Sequence, residues 1–264
     1  MSSKSMSAVV DTAKNKIKRN YLTMLGITLW EEHHRSGGIA YHHDSAIPPL
    51  PKESKIAEQT AFIENRFVAS QEITDLDWTT LENSVRNCSA CPLHRTRTQS
   101  VFGSGNRNAD WLIIGEAPGA EEDRNGLPFI GAAGQLLTQM LNAIGLQREN
   151  VYITNVLKSR PPENRTPNST EIDACRIYLD QQIALIQPKI ILACGAIAAQ
   201  TLLQTKTSIT ALRNHIHHYG NIPLIATYHP AYLLRDVSEK RKAWDDLRLA
   251  LRVFNRVTPD GQID

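Results

Sequence analysis

Between residues 77 and 256, short apolar runs alternate with longer segments in which apolar residues have helical spacing. Strands that are buried on both faces are predicted at residues 111–114, 151–157, 189–193 and 224–228. Helices are predicted at residues 78–85, 134–144, 169–186 and 238–253, and in the alanine-rich stretch after Gly195. Because this alternation is typical of a parallel sheet covered on both faces, we expect an α/β fold. The specific expectation is a three-layer αβα sandwich around a central four-stranded parallel sheet.

The first 76 residues have a different character. Apolar residues recur at steps of three and four between positions 10 and 28, which predicts one amphipathic helix. A linker with little periodicity and a proline-rich stretch follows at residues 36–76. The basic residues before Tyr21 resemble the start of a signal peptide, but charged residues follow in place of a cleavage site. We therefore expect an N-terminal extension at 1–76, a folded domain at 77–256 and a short tail at 257–264.

Composition excludes several classes of protein. The chain has 264 residues, 41% of them hydrophobic, which is enough for a core without disulfides. Its net charge of +2 excludes a uniformly basic protein, so affinity for nucleic acid would require a local basic patch. Four cysteines are too few for a disulfide scaffold, and no apolar run approaches the length of a membrane span. These features favour a monomer in the reducing cytoplasm, with no membrane partner.

Polar side chains follow three of the predicted strands. Glu116 comes after the first strand, Asn155 lies near the end of the second, and His229 follows the fourth. Ligands of parallel sheets bind beyond the carboxyl ends of the strands, so these three residues predict a site there. Each has an ordinary explanation in isolation: a carboxylate beside a helix terminus, an amide in a turn and a histidine with a structural partner. Their coincidence at one edge of the sheet favours a functional site.

A series of motifs in a fixed order resembles the family 4 uracil-DNA glycosylases, which carry an iron–sulfur cluster. The motifs are Gly115-Glu-Ala-Pro-Gly-Ala-Glu-Glu-Asp123, Pro128-Phe-Ile-Gly131, Gly134-Gln-Leu-Leu137, Asn155-Val-Leu-Lys158, Arg160-Pro-Pro162, Asn164-Arg-Thr-Pro167 and His229-Pro-Ala-Tyr-Leu-Leu-Arg235. The resemblance covers roughly residues 77–256. It implies hydrolysis of the N-glycosidic bond of deoxyuridine in DNA, the first step of base-excision repair.

The resemblance also implies roles for residues in a pocket that holds a flipped base. Phe129 would stack on uracil, and Asn155 would read its Watson–Crick edge. Ala117 stands where another family of uracil-DNA glycosylases has an aspartate. His229 would donate a hydrogen bond near O2 of the leaving uracil anion. The carboxylate that orients water would be Glu116 as first choice and Glu122 as second.

Basic and apolar residues around these motifs are candidates for contact with DNA. The basic candidates form three clusters, which are Arg95, Arg97 and Arg107, then Lys158, Arg160 and Arg165, and finally Arg235, Lys240, Arg241 and Lys242. Within the histidine motif, Tyr232, Leu233 and Leu234 could form an apolar wedge that fills the space left by a flipped base. The alternative is that these three side chains pack into the domain at the start of the last helix.

The cysteines depart from the family pattern. Cys88 and Cys91 form a CxxC pair, and Cys175 occupies the position of the fourth cluster ligand that the resemblance implies. Ser159 replaces the third ligand, and neutral serine binds iron poorly. Three outcomes remain open: Cys194 substitutes, three thiolates hold a labile cluster, or the cluster is lost. The three retained cysteines favour a 4Fe-4S cluster with a structural role.

A different class of function fits part of the same pattern. The chain could be a non-catalytic nucleic-acid-binding or polymerase-associated module, with its extension docking on a protein partner. Glu116, Asn155 and His229 favour the enzyme, while Ser159 favours the module. An iron–sulfur electron carrier is a weaker alternative, because no cofactor motif accompanies the cysteines.

Overall fold

The computed structural model describes residues 77–256. The predicted N-terminal helix, the linker and the C-terminal tail lie outside the described residues. The helices that it describes are α1 Trp78–Arg86, α2 Ala120–Asn125, α3 Ala132–Ala143, α4 Ser169–Ile186, α5 Ala196–Leu203, α6 Ile209–Leu212, α7 Pro230–Arg235 and α8 Lys240–Phe254. The strands are β1 Ser104–Gly105, β2 Trp111–Gly115, β3 Tyr152–Asn155, β4 Ile190–Cys194, β5 Ile216–Tyr219 and β6 Ile222–Thr227. Across residues 77–256, no helix combines the length and the apolarity that a membrane span requires.

The six described strands form one sheet in the order β1-β3-β2-β4-β6-β5. Its four central strands are parallel, which confirms the predicted core of the sheet. In register, Ile113 lies beside Ile153 on one side and Leu192 on the other. The edge strands β1 and β5 pair antiparallel with their neighbours and were not predicted.

The central strands are buried on both faces, and their side chains divide the core in two. Ile113, Leu192 and Ile225 face one way, into a cluster with α3 and α8. Leu112 and Ile191 face the other way, into a cluster with α4 and α5. The predicted three-layer αβα sandwich is therefore confirmed for the described residues.

Local sequence determines where α4 begins. The Asn168 side chain accepts a hydrogen bond from the Glu171 N–H at 2.9 Å, and the Glu171 carboxylate accepts one from the Asn168 N–H at 3.0 Å. This reciprocal capping satisfies two amides that the first helical turn leaves without partners. It fixes α4 next to the loop that follows β3, where several candidate residues lie.

Candidate active site

The carboxyl ends of β2 and β3 hold Glu116 and Asn155 next to each other. Gly115 is in register with Asn155, and the pairing continues beyond the strands. The Leu157 N–H donates to the Glu116 carbonyl at 3.0 Å, so both loops leave the sheet side by side. The convergence that the sequence predicted at this edge is therefore present in the structure.

Phe129 lies over the same edge in an unusual backbone conformation. Its φ is 52°, in the left-handed region that phenylalanine rarely adopts. The Glu122 carboxylate secures this conformation by accepting hydrogen bonds from the Ile130 and Gly131 N–H groups, both at 2.9 Å. A side chain at Gly134 would collide with the Phe129 carbonyl, so the loop requires glycine there. These contacts fix the position of the Phe129 ring, which is 6% exposed and packs in the core cluster that contains α3.

Asn155 is buried, with 2% of its surface exposed, and its side-chain oxygen lacks a partner. Among the described residues, none donates a hydrogen bond to Asn155 Oδ1. Its location is next to Phe129, because a methyl group at Gly115 would collide with both side chains. A buried polar atom without a partner is costly, so this oxygen has the chemistry of a ligand acceptor.

His229 follows β6 and stacks near Phe129, with 5.5 Å between the ring centroids. Its Nδ1 accepts a hydrogen bond from the Ala231 N–H at 3.1 Å. Burial, together with the charge of Arg235, lowers the pKa of His229 to about 4, against a smaller opposing effect of Glu122. The ring is therefore neutral at pH 7 with its proton on Nε2, which is left as a hydrogen-bond donor.

The two candidate carboxylates differ in what they contact. Burial raises the pKa of Glu116, and the described residues donate no hydrogen bond to its carboxylate. Glu122 already accepts two backbone hydrogen bonds that secure the Phe129 loop. Both of these bonds fall on Glu122 Oε1, which gives Glu122 a structural role that the sequence did not reveal. Glu116 is thus the carboxylate that accepts no hydrogen bond from the described residues at either oxygen. Ala117, half-buried, packs against the core cluster on the α4 side.

Comparison with known proteins identifies the family to which the chain belongs. The family model described as the uracil DNA glycosylase superfamily matches residues 102–248. The chain belongs to this superfamily. The match spans β2, β3 and β6 and so includes Glu116, Asn155 and His229.

The superfamily members most similar to this chain include type-4 uracil-DNA glycosylases. One from Thermotoga maritima is 48% identical over 158 residues, which cover 59% of this chain and 82% of the relative. One from Pyrobaculum aerophilum is 42% identical over 182 residues, 66% of this chain and 93% of the relative. A third, from Archaeoglobus fulgidus, is 45% identical over 158 residues, 57% of this chain and 79% of the relative. These similarities confirm the resemblance that the motifs indicated.

In this member of the uracil-DNA glycosylase superfamily, Lys158 is not a surface residue. Its side chain is 2% exposed, and Nζ donates to Thr154 Oγ1 at 2.6 Å, to the Asn155 carbonyl at 2.7 Å and to Gln182 Oε1 at 2.6 Å. Burial lowers the pKa of Lys158 to about 7, against a raising effect of Cys175. The prediction that Lys158 contacts DNA is wrong for this structure, because its ammonium cannot reach a phosphate.

Two other predicted DNA contacts are engaged within the domain. Arg165 forms a bidentate ion pair with Glu171, at 2.6 and 2.9 Å, beside the start of α4. Arg160 is half-buried, and its Nε donates to Asn164 Oδ1 at 2.8 Å. Any contact of either arginine with a phosphate has to be made in addition to these bonds or in competition with them.

The two leucines of α7 point in different directions. Leu233 is 1% exposed and belongs to the core, so the alternative prediction of packing holds for it and the wedge prediction does not. Leu234 is 44% exposed, and the neighbouring Arg235 is exposed as well. Arg235 is close enough to His229 to affect its pKa, which locates this exposed end of α7 beside the site.

The cysteines lie on two faces of the sheet. Cys91 packs against the cluster that contains Cys175. Burial raises the pKa of the Cys175 thiol, and Cys91 and Cys88 are close enough to raise it further. Cys194 is fully buried in the cluster on the opposite face, among residues of α3 and α8. The prediction that Cys194 supplies the fourth ligand is therefore wrong, because the sheet separates it from the other three thiols.

The third-ligand position holds a serine that is already bonded. Arg97 donates to Ser159 Oγ at 2.8 Å, to the Arg86 carbonyl at 2.7 Å and to the Cys88 carbonyl at 3.1 Å. Arg97 thus joins the CxxC segment to the loop after β3, and its predicted role in DNA contact is not supported. Over residues 77–256, no group of three or more metal-binding side chains is arranged to hold a metal ion. A four-thiolate cluster does not fit these side chains.

A buried ion pair behind His229 was missed by sequence reasoning. Arg213 donates to both oxygens of Asp246 at 3.0 Å, and the Thr227 hydroxyl donates to Asp246 at 2.9 Å. The Arg213 guanidinium also lies 4.8 Å from the ring centre of Tyr228, the residue before His229. This network holds the end of β6, from which the His229 loop departs. No local signal could reveal it, since 33 residues separate the two charges.

Proposed function

We propose that this chain is a uracil-DNA glycosylase that hydrolyses the N-glycosidic bond of deoxyuridine in DNA and so starts base-excision repair. The observation that carries the proposal is the buried Asn155 Oδ1, which lacks a donor among the described residues. The N3–H of uracil supplies that donor. The comparisons support the proposal, since the similar relatives are themselves type-4 uracil-DNA glycosylases.

Base selection follows from the amide of Asn155. Its Oδ1 accepts from N3–H of uracil, while its Nδ2 donates to O4. Cytosine offers an unprotonated N3 and an amino group at these positions, so both contacts would be mismatched. A mismatch of this kind costs about 1–3 kcal/mol in base reading. Phe129 provides the aromatic face on which the flipped base stacks, in a position set by Glu122 before DNA arrives.

Bond cleavage requires stabilisation of both departing fragments. His229 donates from Nε2 to O2 of the uracil anion, because its Nδ1 is engaged with the Ala231 N–H. One such donor contributes about 100- to 1000-fold in rate in comparable anion-stabilising sites. Glu116 orients the attacking water and offsets the positive charge that develops on the sugar. The neighbouring residue, Ala117, has no acidic group, so Glu116 is the carboxylate of this segment that binds the water.

Contacts with the DNA outside the pocket are assigned to the exposed end of α7. Arg235 binds a phosphate, and Leu234 enters the helix where the base has left. Both side chains are exposed, and they follow His229 by five and six residues. Arg160 adds positive charge in the loop after β3, whereas the charge of Arg165 is offset by its ion pair with Glu171.

The cysteines take no part in this chemistry. Three thiols, those of Cys88, Cys91 and Cys175, lie on one side of the sheet, but the fourth position has an engaged serine. Hydrolysis of a glycosidic bond involves no change in oxidation state, so the proposed reaction runs without them. The four cysteines are free, as expected for the reducing cytoplasm in which we propose that the chain acts. The proposal further assumes a monomer and assigns residues 1–76 to an unidentified protein partner.

The test is excision from a defined oligonucleotide. A duplex with a single uracil is incubated with the full chain, and abasic sites are converted to strand breaks by alkali. We expect release of uracil by the wild type and a loss of about 100-fold or more in Glu116→Gln. Glu149→Gln makes the same chemical change at an exposed position and should leave the rate unchanged. DNA binding without release of uracil would instead support the non-catalytic module.

A further inference from the structure

Lys158 makes an unusual set of contacts for a lysine. Its Nζ donates to three oxygens, which belong to Thr154, Asn155 and Gln182, at 2.6 to 2.7 Å. In its protonated form the group has three hydrogens, so each of them has one acceptor. One of the acceptors is the main-chain carbonyl of Asn155, the residue whose amide faces the base.

A second layer of bonds holds the acceptors. Gln182 is fully buried on α4, and its Nε2 donates to the Phe102 carbonyl at 2.9 Å. The Thr154 hydroxyl donates to the same carbonyl at 2.9 Å. Lys158 therefore connects the end of β3 to α4 and to the segment before β1, with every partner inside the domain.

A buried ammonium group is an inefficient way to stabilise a core. Burying an ammonium group carries a desolvation penalty, and apolar residues of similar volume often stabilise a core equally well. The Asn155 side chain, in contrast, depends on support from elsewhere, because its Oδ1 has no bond in the described protein. What holds that amide in place is the backbone of Asn155, and Lys158 donates directly to that backbone.

We propose that Lys158 is a positioning residue for base recognition, which fixes the Asn155 amide by bonding its carbonyl from behind while Gln182 and Thr154 hold the ammonium in place. This inference rests on the proposed function, since it assigns Lys158 to the residue that reads uracil. Lys158 does not touch the substrate. It supports base recognition through Asn155 and makes no contact with the DNA backbone, so its removal should weaken only the binding of DNA that carries a base to be read.

The test compares two duplexes in Lys158→Met, which keeps the length of the side chain and removes its donors. The first contains 2′-fluoro-2′-deoxyuridine, whose glycosidic bond resists hydrolysis, and the second contains an abasic analogue. Binding of the first should weaken about tenfold or more, as expected for loss of a buried bond to a charged group. Binding of the abasic duplex should change less than about twofold, because it has no base to read.

Two further variants make the result decisive. Lys189→Met removes a lysine that is 42% exposed, at the amino end of β4, and should leave both affinities unchanged. Gln182→Met removes one acceptor of the ammonium without approaching the pocket. It should weaken binding of the fluorinated duplex by a smaller factor and leave binding of the abasic duplex unchanged. It serves as the test if Lys158→Met does not fold.

The possible failures are distinguishable. If the wild type releases uracil but the lysine variant binds the fluorinated duplex normally, the inference is overturned and the proposed function stands. Equal weakening of the binding of both duplexes would also overturn the inference, because a general loss of packing would lower both affinities. A wild type that releases no uracil would refute the proposed function, and this inference with it.

Discussion

Replacing Asn155 by aspartate tests base recognition most directly. The change preserves size and keeps one acceptor oxygen, but it removes the amide donor that faces O4 of uracil. It also brings a negative charge to a position that is 2% exposed, next to a base that leaves as an anion. We expect Asn155→Asp to lose uracil excision while it retains the fold.

The size of the loss follows from the contacts. Mismatching one bidentate base contact costs about 1–3 kcal/mol, which corresponds to roughly 5- to 150-fold in kcat/KM. The additional charge opposes departure of the uracil anion and increases the loss. Because Oδ1 has no other partner among residues 77–256, little of this loss is recovered by rearranged protein contacts.

The assay is single-turnover excision from a uracil-containing duplex, with thermal unfolding measured in parallel. Asn150→Asp is the matched control, since Asn150 is exposed and lies at the amino end of β3, whereas Asn155 lies at its carboxyl end. Its rate should equal that of the wild type. Excision by Asn155→Asp at the wild-type rate, in a folded protein, would remove Asn155 from base reading.

Other predictions concern protonation, the wedge and the cysteines. The pKa of His229, about 4, lies below the usual 6.5, so its contribution to stability is complete above about pH 6.5 and is lost as the pH falls towards 4. Imidazole NMR should therefore show a neutral ring with its proton on Nε2 from pH 8 to 6, and a midpoint near 6.5 would contradict this. Leu234→Ala should slow excision from duplex DNA more than from single strands, whereas Ile177→Ala, at a residue that is 51% exposed on α4, should affect neither. Ser159→Cys should raise the iron bound per chain after anaerobic purification, and Cys194→Ala should leave it unchanged. Loss of iron in Cys194→Ala would contradict the separation of the thiols by the sheet.

The central sheet could be predicted because its strands carry their signal locally. Residues 111–114 and 190–193 are short apolar runs, and burial on both faces requires such runs. The edge strands carry no such signal. β1 has two residues, and β5 contains His217 and His218 at the border of the sheet. The edge strand β1 pairs with β3, which is distant in sequence. Hydrophobic periodicity within a segment contains no information about such a partner.

The site could be predicted in part, and the errors have a common cause. Glu116, Asn155 and His229 were found because topology brings strand ends together. Lys158 and Arg97 were assigned to the surface because charged side chains are rarely buried. Their partners are backbone carbonyls and a distant glutamine or serine, which sequence spacing does not identify. The one local signal was Gln182, a polar residue among the buried positions of α4.

The left-handed conformation of Phe129 has a consequence for how tightly a flipped base is held. A flexible aromatic loop would have to be ordered at the moment of binding, and that entropy would be subtracted from the affinity. Here the ordering occurs when the chain folds, through Glu122 and the close approach of Gly134. The entropy loss therefore lowers the free energy of unfolding and does not shorten the lifetime of the complex. Loosening the loop at Glu122 should accordingly yield an enzyme that releases its base faster without melting much earlier.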